Sequence, residues 1–210
     1  MKVVEHFLSI QGEGLQMGRL TYFVRGAGCN LRCSWCDTGY ALSDSDATMD
    51  LSVDELMDII GDVGSVCFTG GEPLHQKDAA EFLQRLADAG KTTVLETNGS
   101  MDLSVVPSSP NVIISMDVKC PSSGMQDRVR ISNLAYLSRK DQLKFVIADR
   151  TDLEYAETFL REHPVDTNVI FSPVGGVSLG MLAEEVVDRK LDVRVLPQLH
   201  KIIWGDRKGV

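Results

Sequence analysis

The chain has 210 residues, of which 43% are hydrophobic, enough to bury a substantial core and most simply read as one domain spanning 1–210. Lys and Arg number 21 against 30 Asp and Glu, a formal charge of −9 without any basic cluster, which argues against a direct nucleic-acid partner. The start, Met1-Lys2-Val3-Val4-Glu5-His6, lacks the apolar stretch of a signal peptide, and no apolar run is long enough to span a bilayer, so a cytoplasmic protein is expected.

In chain order, apolar β-branched runs alternate with amphipathic ones. Thr21–Arg25, Ser65–Thr69, Thr92–Glu96, Val112–Asp117, Gln142–Ile147 and Asn168–Phe171 read as six buried strands, with Val193–Leu196 a candidate seventh. Ser52-Val-Asp-Glu55 and Thr151-Asp-Leu-Glu154 have capping-box spacing and predict helix starts. Asp78–Ala89 is periodic at helical spacing and stops at Gly90, and Ser178–Lys190 is similarly periodic. Alternation of this kind implies a parallel sheet with right-handed crossovers. The unusual residues follow successive strands: the cysteines, Gly70-Gly-Glu-Pro73, Glu96-Thr-Asn-Gly99, Asp117-Val-Lys119 and Ser172-Pro-Val-Gly-Gly176. Chemistry at many C-terminal strand ends favours a barrel over a doubly wound sheet, which would gather it at one switch point. The expected fold is therefore α/β, a compact, incomplete six-stranded parallel (β/α) barrel whose C-terminal tail lies near the active site.

Three cysteines within eight residues, Cys29-x3-Cys33-x2-Cys36, carry the most chemistry. A closed structural zinc site needs four protein ligands, and a ferredoxin cluster takes one thiolate per iron. Cys67 and Cys120 stand alone and His75 is the only nearby histidine, so the run reads as a cluster with one open iron. With Gly70-Gly-Glu-Pro73 behind the next strand, the pattern resembles the radical S-adenosylmethionine (SAM) superfamily. Phe7-Leu-Ser-Ile-Gln-Gly-Glu-Gly14, Phe23-Val-Arg25, Cys36-Asp37-Thr38 and Arg194-Val-Leu-Pro-Gln-Leu-His200 with Trp204-Gly205 narrow the resemblance to the 7-carboxy-7-deazaguanine synthase family.

That resemblance implies a [4Fe–4S] cluster on Cys29, Cys33 and Cys36, with SAM chelating the open iron. SAM contacts are expected from Gly70, Gly71, Glu72, Glu96, Asn98 and Lys119, the paired glycines letting the backbone approach the ligand. A pterin substrate would be held by Gln11, Glu13, Arg25 and His200, with Glu13 accepting two donors from a guanidine-like edge and Arg25 gripping a carboxylate. Thr38 is expected on Mg2+, and the tail carboxylate at Val210 on the substrate. The family also implies ring contraction with loss of ammonia, a homodimer, and a low-potential electron donor such as flavodoxin or ferredoxin. A glycyl-radical activase would share the cysteines but not explain Gln11, Glu13 or His200; a non-catalytic iron–sulfur or zinc protein would not cleave SAM.

Overall fold

The computed structural model describes residues 1–174, 178–205, 207, 209 and 210. Gly175 and Gly176 of the glycine pair after the sixth predicted strand, and Lys208 of the tail, lie outside the described residues. The strands are β1 (Lys2–Ile10), β2 (Leu20–Gly26), β3 (Met49–Asp50), β4 (Ser65–Gly70), β5 (Thr92–Thr97), β6 (Val112–Val118), β7 (Gln142–Ile147), β8 (Asn168–Pro173) and β9 (Arg194–Val195). The helices are α1 (Val53–Ile60), α2 (Ala79–Asp88), α3 (Arg150–Glu162), α4 (Leu179–Arg189) and α5 (Leu199–Trp204). One sheet of order β3-β1-β2-β4-β5-β6-β7-β8-β9 contains every strand. From β2 to β9 all neighbours are parallel, and the sheet is an open, incomplete barrel.

The six expected parallel strands are β2 and β4 to β8, and the candidate seventh is the short β9. Two features differ from the sequence expectation. Residues 2–10 form β1, which pairs antiparallel with β2, so the sheet is mixed at that edge. Its mixed burial, with Leu8 half-exposed and Phe7 turned to the cavity, blurs the alternation by which strands are recognised. Helix α3 is capped by Asp149, whose carboxylate accepts the Asp152 N–H at 3.0 Å, rather than by Thr151. Aspartate is a strong cap in its own right, and here it starts the helix two residues early. The Ser52–Glu55 capping box forms as expected, and Gly90 closes α2 in the left-handed region at φ +69°.

Strand alternation divides the side chains into two populations. One face of the sheet sends Phe68, Leu95, Met116, Phe145 and Phe171 into the main core beneath Phe82, Leu83, Leu86 and Phe159 of the helices. The other face carries Arg25, Thr69, Glu96, Asp117 and Lys144, which line a cavity together. Five successive strands thus each turn one polar residue inward.

Candidate functional site

The cavity measures about 650 Å3 and sits at the C-terminal ends of the parallel strands. Its apolar floor is formed by Phe7 and Phe23, whose rings stack at 5.1 Å.

One wall is the loop after β2. Its neck is closed by the Gly28 N–H to Ala41 O bond and the Cys29 N–H to Leu42 O bond, both 3.0 Å, which leaves 30–40 as a projecting loop. Cys29, Cys33 and Cys36 are free and all line the cavity. The Leu31 N–H and the Asn98 side-chain amide donate to Cys29 Sγ at 3.4 and 3.8 Å, contacts suited to a thiolate or cluster sulfur. Burial pushes the thiols of Cys29 and Cys33 up, so loading iron on them releases protons. Lys119 Nζ lies 5.7 Å from the Trp35 ring centre and its charge favours the Cys33 thiolate. The loop thus supplies three thiolate donors, the number an open-iron cluster takes, while among the described residues no three His, Cys, Asp or Glu side chains are already gathered as a metal site. Cys67 and Cys120 are fully buried elsewhere, and His75 contacts Asp44 at 3.2 Å instead of joining the cysteines.

The loop after β4 explains its own glycines. Gly70 has φ +140°, and a Cβ there would lie 2.2 Å from Gly26 O; one on Gly71 would lie 2.2 Å from Gly28 O. Both glycines are thus required by the close approach of two backbones, which the expectation had assigned to a ligand. Glu72 departs further from expectation. It is 1% exposed, and its carboxylate accepts from Thr97 Oγ1, Asn98 N and Leu74 N at 2.8, 2.8 and 3.1 Å. Its side chain braces the β4 and β5 loops from below, whereas Gly70, Gly71, Glu96, Asn98 and Lys119 do line the cavity.

The opposite wall joins the two ends of the chain. The Leu199 N–H donates to Gly12 O at 2.8 Å, and Gln198 Nε2 donates to Glu13 Oε1 at 2.8 Å. Glu13 Oε2 accepts from Lys144 Nζ at 2.6 Å. Burial raises the Glu13 carboxyl, but the lysine, the Gln198 bond and His200 together hold it at about 2. Gln11 is 2% exposed, and its Nε2 makes no hydrogen bond to a protein oxygen or nitrogen among the described residues, with the buried Cys67 thiol as its neighbour at the cavity wall. Burial lowers His200, keeping its imidazole neutral at pH 7. Arg25 Nε donates to Glu5 Oε1 at 2.8 Å, and its terminal nitrogens have no hydrogen bond among the described residues. Thr38 Oγ1 donates to Asp37 Oδ1 at 2.8 Å, both at the cavity edge. Gly209 and Val210 also reach the lining.

Lys144 was missed at the sequence level, along with Thr69 and Tyr40. A signal for Lys144 existed, since Gln142 and Lys144 alternate with Leu143, Phe145 and Ile147 in an otherwise apolar strand.

Residues 23–136 match the radical SAM superfamily. The chain is 42% identical to the 7-carboxy-7-deazaguanine synthase of Thermoplasma acidophilum over 212 residues, covering 100% of both. It is also 42% identical to the synthase of that name from Methanospirillum hungatei, covering 97% of this chain and 85% of that one. Among solved structures it is similar to QueE from Escherichia coli, with a TM-score of 0.74 at 22% identity over 94% of this chain and 93% of that one, a likeness of fold.

Proposed function

This chain belongs to the 7-carboxy-7-deazaguanine synthase family of the radical SAM superfamily, and on that basis we propose that it converts 6-carboxy-5,6,7,8-tetrahydropterin to 7-carboxy-7-deazaguanine with release of ammonia. The observation that carries this reading is the meeting of Gln11, Glu13, Gln198 and His200 from the two ends of the chain across one cavity from Cys29, Cys33 and Cys36. A small molecule bound between those walls touches the cluster side and the recognition side at once.

Superfamily membership brings a [4Fe–4S] cluster and SAM, which Cys29, Cys33 and Cys36 would hold with Gly71, Asn98 and Lys119 alongside. When bound, they would supply radical chemistry at a substrate C–H bond, which belongs to the cofactor and not to a protein side chain. The protein's own contribution is placement. Glu13 accepts from the amino and ring N–H groups of the pterin edge, with the Gln11 amide beside it. The terminal nitrogens of Arg25 form a bidentate pair with the substrate carboxylate, while Glu5 and Tyr40 hold the guanidinium from behind. Neutral His200 hydrogen-bonds the ring edge opposite Arg25. Thr38, with the Asp37 carboxylate bonded to it, is the oxygen donor set for Mg2+ and would use substrate and water oxygens to complete the shell. The apolar floor of Phe7 and Phe23 excludes water from the reacting ring. A homodimer and a low-potential flavodoxin or ferredoxin donor belong to the same reading. Among the described residues no helix is long and apolar enough to cross a membrane.

The test is anaerobic cluster reconstitution followed by incubation with SAM, a reductant and the tetrahydropterin, with and without Mg2+. Mass spectrometry should detect the deazapurine, with faster turnover when Mg2+ is present. A reduced cluster that cleaves SAM but yields no deazapurine would refute the substrate assignment.

A further inference from the structure

One charged side chain in the cavity belongs to no sequence motif. Lys144 lies in the middle of β7 and is 7% exposed. Its ammonium sits 2.6 Å from Glu13 Oε2 and 3.2 Å from Asp117 Oδ1. Asp117 Oδ2 in turn lies 2.7 Å from Lys119 Nζ. An unbroken row of alternating charge, Glu13–Lys144–Asp117–Lys119, therefore runs from the recognition wall towards Trp35 and the cysteine loop. A buried ammonium is costly unless paired, so a lysine in the centre of an apolar strand requires these two carboxylates, and they require it.

We propose that Lys144 is the positioning residue that sets which ring edge the site accepts. By bridging Glu13 and Asp117 it fixes Glu13 as a carboxylate that can only accept hydrogen bonds. The site then takes an edge with two adjacent N–H donors, as in a 2-amino-4-oxopteridine, and refuses one that presents a carbonyl oxygen there. The inference rests on the pterin reading of the site.

The geometry leaves room for both partners. An ionised carboxylate has about four lone-pair positions. Lys144 and Gln198 occupy one on each oxygen of Glu13, so a substrate can take the remaining positions without displacing either. A protonated acid would be a donor as well, and would tolerate a carbonyl edge. The groups that bear on Glu13 are Lys144 from β7, Glu96 from β5 and His200 from α5, with Asp117 of β6 and Lys119 just after it behind the lysine and Arg25 of β2 beyond Glu96. Without the lysine, burial would drive Glu13 up from its value of about 2, as burial and the Glu13 charge together raise the neighbouring Glu96.

The experiment measures binding of two stable fluorescent probes, pterin-6-carboxylate and its 2,4-dioxo analogue lumazine-6-carboxylate, to anaerobically reconstituted protein with SAM. Wild type should prefer the pterin by roughly a hundredfold or more, since a site built for a donor rejects an analogue without it. Its pterin affinity should be flat between pH 7.5 and 6. K144M should lose at least about tenfold in pterin affinity, weaken further towards pH 6 as Glu13 takes a proton, and gain relative affinity for lumazine. K144R should restore both the preference and the flat profile. Should K144M melt below the assay temperature, K144Q, which keeps a donor without charge, is read by the same criteria. Equal loss of both probes with a flat pH response would reduce Lys144 to a prop and overturn the proposal, as would wild-type behaviour of K144M. Wild-type protein that binds neither probe overturns the pterin reading itself, and the proposal with it.

Discussion

The Trp35 indole N–H donates to Ser122 Oγ at 2.9 Å, tying the segment between Cys33 and Cys36 to the turn after β6. The tie is reinforced by Ser34, whose N–H donates to Ser123 O at 3.1 Å and whose hydroxyl donates to Ser122 O at 2.6 Å. Ser122 is itself held by the fully buried Asp152 of α3, at 2.5 Å from its hydroxyl and 2.9 Å from its N–H. A helix on the outer face of the sheet thereby sets the position of a loop at the mouth of the cavity.

S122A should cut this relay, leaving the indole N–H without a partner and one oxygen of the buried Asp152 without its hydroxyl donor. A loss of about 1–3 kcal/mol in stability is expected. Iron bound per chain after reconstitution should also fall, because the loop that presents Cys33 and Cys36 loses its anchor. Chemical unfolding of the metal-free chain and iron quantification measure the two effects separately; full iron loading in S122A would contradict the anchoring role.

Two glycines at strand ends should respond very differently to a methyl group. A Cβ on Gly71 would meet Gly28 O at 2.2 Å and Ala41 O at 2.6 Å, whereas one on Gly64 meets nothing within 4 Å. G71A is expected to cost roughly 3 kcal/mol or more, because backbone atoms cannot give way as side chains do. G64A should stay within about 1 kcal/mol of wild type, and can stabilise by restricting the unfolded chain. Urea midpoints of the two metal-free variants decide the matter.

His200 is placed by Gly12. A Cβ at Gly12 would lie 2.2 Å from His200 Nδ1 and 2.9 Å from His200 Cβ, so the whole histidine must shift. G12A and H200A should each raise KM for the tetrahydropterin, and the double variant should be no worse than the poorer single one. Additive effects in that cycle would mean that the two residues act independently.

Glu13 makes a testable contribution to acid stability. Its pKa in the folded protein is lowered from 4.5 to about 2, chiefly by Lys144 acting against burial. A depressed carboxyl stabilises the fold at pH values above its unfolded pKa, and that contribution is lost as pH falls towards the folded value. The stability advantage of wild type over E13Q should therefore be complete at pH 7 and shrink below about pH 4.5. Urea midpoints of both proteins from pH 7 to pH 3 follow it; an advantage that holds constant to pH 3 would exclude the ion pair as its source.

Strand positions, the Ser52 cap and the Gly90 stop were legible because they depend on residues a few positions apart. The cysteine triplet was legible for the same reason: one loop supplies all three thiolates. Residues 2–10 were read for their motif and not as a strand, because a strand with one face on a cavity alternates poorly. Glu72 was read as a ligand contact because a glutamate after two glycines does not declare which N–H groups it will meet. Its partners, Thr97 and Asn98, come from the next strand.

By itself the sequence determined the periodicities, the Ser52 cap and the spacing of the three cysteines, all of which arise from short-range geometry of one chain segment. Tertiary structure alone decided that Gln198 meets Glu13 across 185 positions and that Lys144 meets it across 131. Lys144 reaches the cavity because parallel pairing brings successive strand ends to one rim and alternation turns one polar side chain from each inward, and Gln198 because the Leu199 N–H to Gly12 O bond docks the start of α5 beside Glu13. The charge state of a buried carboxylate is set by the neighbours that arrangement delivers, which no local stretch of sequence contains.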